Sequence, residues 1–404
     1  MRHLLFSDIN LLNGHISLPS FPDKVPTNDI ENKQAFITGA TGFIGGFLLK
    51  ELLQNNRFES YICLVRADTE TAGYQRVKEF LLSKGTPEKL IDPARIKVVI
   101  GDVLKPQLGL NDSTYQSLLT TVDHVFHFAA SMNWVTPFNQ DSIANIEALK
   151  TVIKFCGTEK LKKLHYASSM GIWTLLNHTK GPILETEIHH HGNELPGGYF
   201  QSKWVNEQVL KLASAEGIPV NVYRIGDVKG NSEDGLGDPQ NFGNLVMQYF
   251  INKGVVIDSD TPEFNFIPVD YLAKSIAYIA INSTGNTHQF TNPELISFCD
   301  IYAAAKSVGH DCKLISKAEW IETLKTETNM QGKILKPIFK TFTPDPSCLP
   351  TSFYGIGVNM FKKKHDTTNT DHALSDTNFK CPAMLKDGVL KRYLIHLGEK
   401  RIHL

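Results

Sequence analysis

The stretch that decides the fold is QAFITGATGFIGGFLLKELLQ, residues 34–54. It begins with a short apolar run that predicts a buried strand over 34–38, and it ends with apolar residues at helical spacing. Between them, Gly39, Gly42 and Gly45 follow the spacing G-x-x-G-x-x-G. Glycines here let a backbone approach a pyrophosphate, whose charge the N-terminus of the following helix stabilises. The pattern predicts a dinucleotide site; the alternative is a turn that only packs the helix on the sheet.

Apolar runs and amphipathic segments alternate through the first half of the chain. Strands with near-continuous apolar character, separated by amphipathic helices, imply a parallel sheet covered on both faces. Right-handed crossovers then give an α/β, Rossmann-type doubly wound parallel sheet. The predicted strands after the first are 61–65, 96–100, 123–128, 163–168 and 220–225, and the main predicted helices are 43–54, 71–84, 139–156 and 198–217.

The alternation stops after about Gly230, where loops rich in Gly and Asp follow. The polar stretch 362–378 predicts a further loop. The predicted organisation is an extended lead-in over 1–33, a dinucleotide-binding domain over 34–228 to which 264–292 returns, and a smaller, mainly helical C-terminal substrate domain formed by 229–263 and 293–404.

The composition argues against several kinds of protein. The 404 residues carry 41 Lys and Arg against 42 Asp and Glu, a net charge of −1, which disfavours a nucleic-acid partner. No apolar run reaches the roughly 18 residues that span a bilayer. Six cysteines without a Cys-x-x-Cys pair disfavour disulfide and zinc frameworks and favour a reducing cytoplasm. Three adjacent histidines, His189–His191, cannot all face one ion, so no metal site is predicted.

The residue after the second predicted strand indicates which dinucleotide binds. NAD sites usually place an acidic residue there for the ribose 2′-hydroxyl, whereas an arginine suits a 2′-phosphate. Arg66 stands at this position and can make a bidentate, charge-assisted contact, so it favours NADPH. A solvated arginine is the alternative. Asp102, after the third strand, either accepts a hydrogen bond from the adenine amine or is an ordinary turn residue.

The candidate catalytic residues are Tyr199 and Lys203, preceded by Ser168 and Ser169 at the end of the fifth predicted strand. Positions i and i+4 of a helix share a face, so the phenol and the ammonium can lie side by side. The cation is expected to lower the pKa of the phenol toward neutrality, and the tyrosine then donates a proton to a carbonyl oxygen as the carbon receives hydride. A serine hydroxyl would hold that oxygen. The alternative is a surface pair on a helix.

These motifs resemble extended short-chain dehydrogenases/reductases. More narrowly, they resemble the thioester reductase domains that terminate nonribosomal peptide synthetases, carboxylic acid reductases and aminoadipate reductases. The lead-in FSDINLLNGHI resembles the linker that follows a carrier domain in such synthetases. The matching strings cover nearly the whole chain: ITGATGFIGGFLLKELL, CLVRA, VIGDV, ASMNWVTPF, HYASSMGIW, GGYFQSKWVNEQV, VYRIGDVKGNS, FIPVDYLAKSIAYIA and LKRYLIHL.

The resemblance implies roles for individual residues. Tyr199 and Lys203 match the proton donor and its ribose-binding partner, and Ser169 falls where the family usually has Thr. Arg66 matches the contact to the 2′-phosphate, and Arg76 falls near a second basic contact. The predicted catalytic residues are Ser169, Tyr199 and Lys203, and the predicted cofactor-binding residues are Gly39, Thr41, Gly42, Phe43, Ile44, Gly45, Arg66, Arg76, Asp102, Ala129 and Lys203.

The resemblance implies an NADPH-dependent reductase that converts an acyl or peptidyl thioester, carried on the phosphopantetheine arm of a carrier protein, to an aldehyde. The chain would be a lone reductase or an excised terminal domain. Trp134 is a candidate wall of the substrate pocket, and Lys362–Lys364 are a candidate contact for an acidic carrier. The alternatives are an NAD-dependent sugar-nucleotide epimerase or dehydratase, disfavoured by Arg66, and a non-catalytic dinucleotide sensor, which would not need the Tyr199–Lys203 pair.

Overall fold

A computed structural model describes most of the chain. The hypotheses about Trp134 and Lys362–Lys364 concern positions outside the described residues. In the part of the chain that the structure describes, no helix combines the length and the apolar character needed to cross a membrane. The described residues are 12–21, 24–132, 137–174, 181–195, 197–238, 242–261, 264–326 and 365–399.

Seven parallel strands form the main sheet, in the order β3-β2-β1-β4-β5-β6-β10. The strand order reverses between β1 and β4, which is where doubly wound sheets bind ligands at the carboxyl ends of their strands. The predicted Rossmann-type α/β fold is therefore confirmed. The strands are β1 Gln34–Thr38, β2 Ser60–Val65, β3 Ile96–Ile100, β4 His124–His127, β5 Lys163–Ser169, β6 Val220–Ile225, β7 Asp227–Lys229, β8 Val255–Ile257, β9 Phe266–Pro268, β10 Thr287–Phe290 and β11 Lys313–Ile315.

Helices cover both faces of the sheet because each carries an apolar stripe that only the sheet or another helix can bury. We number them in chain order through the described residues. They are α1 Phe43–Gln54, α2 Glu70–Ser83, α3 Asp112–Thr121, α4 Gln140–Cys156, α5 Gly171–Thr174, α6 Gly198–Ala215, α7 Phe242–Lys253, α8 Val269–Asn282, α9 Phe298–Ser307, α10 Lys317–Thr326, α11 Thr368–Leu374 and α12 Val389–Glu399.

Two apolar cores flank the sheet. One holds α4 and α6, through side chains such as Leu149 and Val205, and the other holds α1 and α8, through Leu52 and Ile276. The start of α4 is fixed by a capping box, in which the side chain of Asn139 accepts hydrogen bonds from backbone amides of the first turn. The sheet is thus enclosed on both sides, and its carboxyl edge is left for a site.

The lead-in packs on the first of these cores. Leu12 is 3% exposed, and Phe21 lies against the end of α4. Asn28 is hydrogen-bonded to the backbone of Leu161 in both directions, with its Oδ1 accepting at 2.6 Å and its Nδ2 donating at 3.3 Å. These contacts make residues 12–21 and 24–33 a strap along the outside of α4.

A third apolar core joins α7, α9 and α12 to the short parallel pair β8–β11. Except for Phe264 and Phe266, its members lie in the ranges predicted for the C-terminal domain, and the division into domains stays a prediction. The loop predicted over 362–378 is wrong for 368–374, which forms α11. This helix is too short for its hydrophobic periodicity to be recognised in the sequence. Tertiary contacts hold it in place, because the carboxylate of Glu185 accepts a hydrogen bond from Thr370 Oγ1 of the helix at 2.6 Å and another from the backbone amide of Gln289 on β10 at 2.7 Å.

A row of buried polar rings crosses β4, β5, β6 and β10. His124 Nδ1 lies 3.0 Å from His165 Nε2, and His165 Nδ1 lies 3.0 Å from the hydroxyl of Tyr223. Tyr223 stacks on His288 with ring centroids 5.9 Å apart. All four side chains are at most 2% exposed. We call these four residues the histidine ladder.

Candidate active site

In the glycine turn between β1 and α1, two glycines pack closely against backbone atoms and the third is exposed. Gly39 has φ +80°, and a Cβ there would lie 2.8 Å from the backbone nitrogen of Ala129. A Cβ on Gly45 would lie 2.2 Å from the carbonyl oxygen of Gly39. Gly42 is exposed, and its nearest neighbour would be that same oxygen at 3.2 Å. Gly39 and Gly45 therefore pack the helix on the sheet, and Gly42 leaves the approach that a pyrophosphate needs.

The first turn of α1 is suited to an anion. Gly42 is its N-cap and provides no side-chain hydrogen bond, and the first turn holds no acidic residue. The backbone amides that open the helix, from Phe43 to Gly45, have no intrahelical acceptor, and the helix dipole favours negative charge there. The residues therefore fit the diphosphate of a dinucleotide, and the contacts assigned to Phe43 and Ile44 stay predictions.

Arg76 joins the glycine turn to the end of β2. Its Nη2 donates to Thr41 Oγ1 at 2.9 Å, and its Nη1 donates to the carbonyl oxygen of Arg66 at 3.1 Å. The side chains of Arg66 and Arg76 are both exposed. The guanidinium group of Arg76 thus lies beside the turn and next to the backbone of Arg66, and the contacts of both arginines with a dinucleotide stay predictions.

Asp102 follows β3 and Ala129 follows β4, the two strands that flank the β1–β2 pair in the sheet. Asp102 Oδ1 accepts from the amide of Leu104 at 3.0 Å, so this carboxylate does act as a turn residue, and its contact to adenine stays a prediction. The amide of Ala129 donates to Thr38 Oγ1 at 3.3 Å, and the same hydroxyl lies 2.8 Å from His127 Nδ1. The loop after β4 is thereby tied to β1, beside the glycine turn.

A pair of glycines positions Tyr199 in the first turn of α6. Gly197 has φ +74°, and a Cβ on Gly198 would lie 2.1 Å from Ser142 Oγ and 2.8 Å from the carbonyl oxygen of Pro137. Only glycine lets the start of α6 approach the start of α4 this closely. The side chain of Tyr199 is 9% exposed and packs edge-on against Phe200. The tyrosine is therefore held between two helix ends.

Lys203 lies one turn further along α6 and is 4% exposed. Its Nζ donates to the carbonyl oxygen of Ala167 on β5 at 2.6 Å. The same nitrogen lies 5.6 Å from the ring centroid of Tyr199 and 4.6 Å from that of Tyr166. The structure therefore brings Tyr199 and Lys203 together on one face of α6 against β5, rather than leaving them as a surface pair.

The electrostatics of this pair differ from the expectation. Burial raises the pKa of Tyr199, whereas the sequence pattern predicts that Lys203 lowers it. The reason is geometric, because Lys203 Nζ is hydrogen-bonded to Ala167 and faces the tyrosine ring. Burial also lowers the pKa of Lys203 to about 7, and the carboxylate of Glu207 opposes that change. A phenol with a raised pKa keeps its proton at neutral pH, which is the form that a proton donor needs.

The two serines at the end of β5 point in different directions, as alternate residues of a strand do. Ser169 is half-buried, and its Oγ accepts from the amide of Gly171 at 3.0 Å. Ser168 is 4% exposed, and its Oγ donates to Glu207 Oε1 at 2.5 Å. Ser169 is therefore the less buried of the two hydroxyls. Its role in holding an oxyanion stays a prediction.

Glu207 and Arg224 form a buried ion pair behind the site, and neither is among the residues predicted from the sequence. Arg224 Nη2 lies 2.8 Å from Glu207 Oε2, and the side chains are 0% and 2% exposed. Two features of the sequence could have pointed to this pair. Glu207 stands four residues after Lys203, on the same helical face, and Arg224 is a charged residue within the apolar strand VNVYRI.

Two of the three adjacent histidines contact protein groups. His189 is buried, and its Nε2 is hydrogen-bonded to the carbonyl oxygen of Ile172. His191 Nδ1 lies 2.8 Å from Glu194 Oε1. Within the described residues, no group of three or more His, Cys, Asp or Glu side chains is arranged to hold a metal ion.

A doubly wound sheet with a glycine turn after β1 and a buried Tyr-Lys pair beside β5 defines an extended short-chain dehydrogenase/reductase. The chain belongs to the NAD-binding family described as Male sterility protein, whose model matches residues 37–276. This match covers more than half of the chain.

Individual relatives are consistent with this family. A linear gramicidin synthase from Brevibacillus parabrevis is 31% identical over 91% of this chain and 7% of that protein. L-2-aminoadipate reductase from Saccharomyces cerevisiae is 29% identical over 76% of this chain and 24% of that protein. The chain therefore spans only a small part of these relatives.

A solved structure has the same fold over nearly the whole chain. The terminal R domain from the myxalamid PKS-NRPS biosynthetic pathway superposes with a TM-score of 0.84 at 26% identity, covering 97% of this chain and 98% of that one. Together with the family match, this confirms the resemblance to terminal reductase domains.

Proposed function

We propose that this protein reduces an acyl or peptidyl thioester, presented on the phosphopantetheine arm of a carrier protein, to an aldehyde at the expense of NADPH. The observation that carries the proposal is the Tyr199–Lys203 pair, buried against the end of β5 next to Ser169. The proposal is also supported by the relatives of this chain, which include a peptide synthase and an aminoadipate reductase.

The residues of this chain have separate tasks in the proposed reaction. The turn at Gly42 and the guanidinium groups of Arg66 and Arg76 would hold the dinucleotide, whose nicotinamide supplies the hydride. Tyr199 donates its phenolic proton to the thioester oxygen as the carbonyl carbon becomes tetrahedral, and Ser169 hydrogen-bonds to that oxygen. The hemithioacetal then breaks its C–S bond and releases the thiol and the aldehyde.

The direct test is to follow NADPH absorbance with a panel of pantetheine, CoA and carrier-loaded thioesters and to identify the products by mass. We expect NADPH oxidation in step with aldehyde formation, fastest with a carrier-loaded substrate. Purified protein that retains NAD and ignores NADPH would favour a sugar-nucleotide epimerase. Tight binding of NADPH without turnover of any thioester would favour a dinucleotide sensor.

Arg66 provides a separate test of the cofactor. We expect Arg66→Ala to weaken NADPH binding by about ten- to a hundredfold, because a hydrogen bond to a charged group contributes about 1.5–3 kcal/mol and each 1.4 kcal/mol is about tenfold in Kd. Binding of NADH, which lacks the 2′-phosphate, should stay within about threefold. Fluorescence titration with both dinucleotides measures this.

Lys97→Ala is the matched control, because Lys97 is an exposed cation on β3 away from the glycine turn. It removes the same net charge and should leave both dissociation constants unchanged. Equal losses of NADPH and NADH affinity in Arg66→Ala would refute the assignment of Arg66 to the 2′-phosphate.

A further inference from the structure

Glu207 is a buried carboxylate that lies directly behind the proton-donor pair. It is 2% exposed and stands on α6, one turn after Lys203. Three side-chain donors converge on it: Ser168 Oγ at 2.5 Å, Arg224 Nη2 at 2.8 Å and Arg224 Nε at 3.1 Å. A carboxylate that accepts several charge-assisted hydrogen bonds is fixed both in position and in its ionised form.

Arg224 is held just as firmly from its other side. Its Nη1 donates to the carbonyl oxygen of Leu184 at 3.0 Å, and its Nη2 donates to that of Glu187 at 2.5 Å. The guanidinium is 0% exposed. With both ends satisfied, the ion pair cannot rotate away from α6, so the carboxylate stays at one distance from Lys203.

The surroundings of Lys203 show why a fixed anion matters there. The titratable groups that face it are Tyr199 on its own helix, Tyr166 on β5, His127 on β4 and Glu207. Burial disfavours the ammonium, and it keeps His127 neutral because its pKa falls to about 3. Glu207 stands one turn along the same helix and is hydrogen-bonded to Ser168, the neighbour in sequence of the Ala167 that Lys203 contacts. It is therefore the anion, among the groups that face Lys203, that opposes its loss of a proton.

We propose that Glu207 is a positioning residue that acts through Lys203: its carboxylate, locked by Arg224 and Ser168, stabilises the cationic form of the Lys203 side chain inside the protein. The inference rests on the proposed function in one respect: there, the Lys203 ammonium orients Tyr199 and binds the cofactor ribose. The charge state of Lys203 itself is a property of the protein without substrate or cofactor.

The experiment measures that charge state. Lysines are labelled with ¹³C at Cε, the Lys203 resonance is identified by its loss in Lys203→Arg, and the substrate-free protein is titrated. Glu207→Gln keeps the shape of the side chain and removes its charge, and we expect the Lys203 midpoint to fall by about one pH unit or more. Ser168→Ala, which removes a contact and keeps the charge, should leave the midpoint within about 0.2 units of wild type.

The same variants separate this inference from the proposed function. In wild type, activity should fall as the pH rises through the Lys203 midpoint, and in Glu207→Gln that alkaline limb should move to lower pH by the same interval as the titration. An unchanged midpoint in Glu207→Gln overturns the inference, even if thioesters are reduced. A shifted midpoint in a protein that reduces no thioester upholds it and refutes the proposed function.

A second variant covers the case in which Glu207→Gln does not fold. Removing one partner of a buried ion pair leaves an uncompensated charge, whereas replacing both partners is often tolerated. The double variant Glu207→Gln with Arg224→Gln removes both charges of the pair, and we expect its Lys203 midpoint to fall below that of wild type as well. A midpoint equal to that of wild type in this variant overturns the inference.

Discussion

Replacing Tyr199 by phenylalanine is expected to lower kcat for thioester reduction by about 10²- to 10⁴-fold, the usual contribution of a general acid. The phenyl ring keeps the edge-on contact with Phe200 and its buried position, so the fold and the dinucleotide site should persist. We therefore expect the Kd for NADPH to stay within about twofold of wild type. Stopped-flow absorbance of NADPH and a binding titration measure the two quantities.

Tyr166→Phe is the control for this variant. Tyr166 also lies beside Lys203, but its hydroxyl is hydrogen-bonded to Asn206 at 2.8 Å inside the protein. Its loss should change kcat by less than about tenfold, since the group is structural. If Tyr199→Phe kept activity within about threefold of wild type, another group would have to donate the proton.

Acidification is expected to unfold the protein steeply below about pH 6, because the histidine ladder must stay neutral in the folded state. Burial lowers the pKa of His124 to about 3 and that of His288 to about 4, and it lowers the pKa of His165 well below its usual range, with the charge of Lys163 adding to the effect.

The direction of the effect follows from proton linkage. Unfolding returns each histidine to its ordinary pKa near 6.5, so the unfolded state binds more protons below that pH. The contribution to stability is complete above about pH 6.5 and is lost as the pH falls toward 4. Each histidine contributes about 1.4 kcal/mol per pH unit to the slope, and the three of the ladder together about 4 kcal/mol per pH unit.

His288→Phe tests this directly. Neither ring nitrogen of His288 has a hydrogen-bond partner in the described structure, so phenylalanine keeps the stacking on Tyr223 and loses no hydrogen bond. We expect the free energy of unfolding in urea to fall less steeply between about pH 6 and 4.5, by about 1.4 kcal/mol per pH unit. The exposed His190, changed to Gln, is the control and should leave the slope unaltered. A slope unchanged in His288→Phe would contradict the linkage.

Much of the fold could be predicted from local pattern. Continuous apolar runs mark strands that are buried on both faces, so β1 and β6 occupy the residues predicted for them. Helical spacing marks α1 over 43–54 in the same way. Periodicity does not reveal α11, because seven residues hold too little of it and the contact with Glu185 holds that helix in place.

The sequence by itself determined the class of fold, the glycine turn and the candidate residues Tyr199 and Lys203, because these depend on local spacing and residue type. The tertiary structure alone decided which of the two serines faces outward and that Arg224 pairs with Glu207. It also decided that Tyr199 keeps its proton. These outcomes depend on burial and on contacts between residues far apart in the chain. The pKa of Tyr199 depends on the balance between its desolvation and the nearby charge of Lys203, and that balance exists only once the strands and helices are packed.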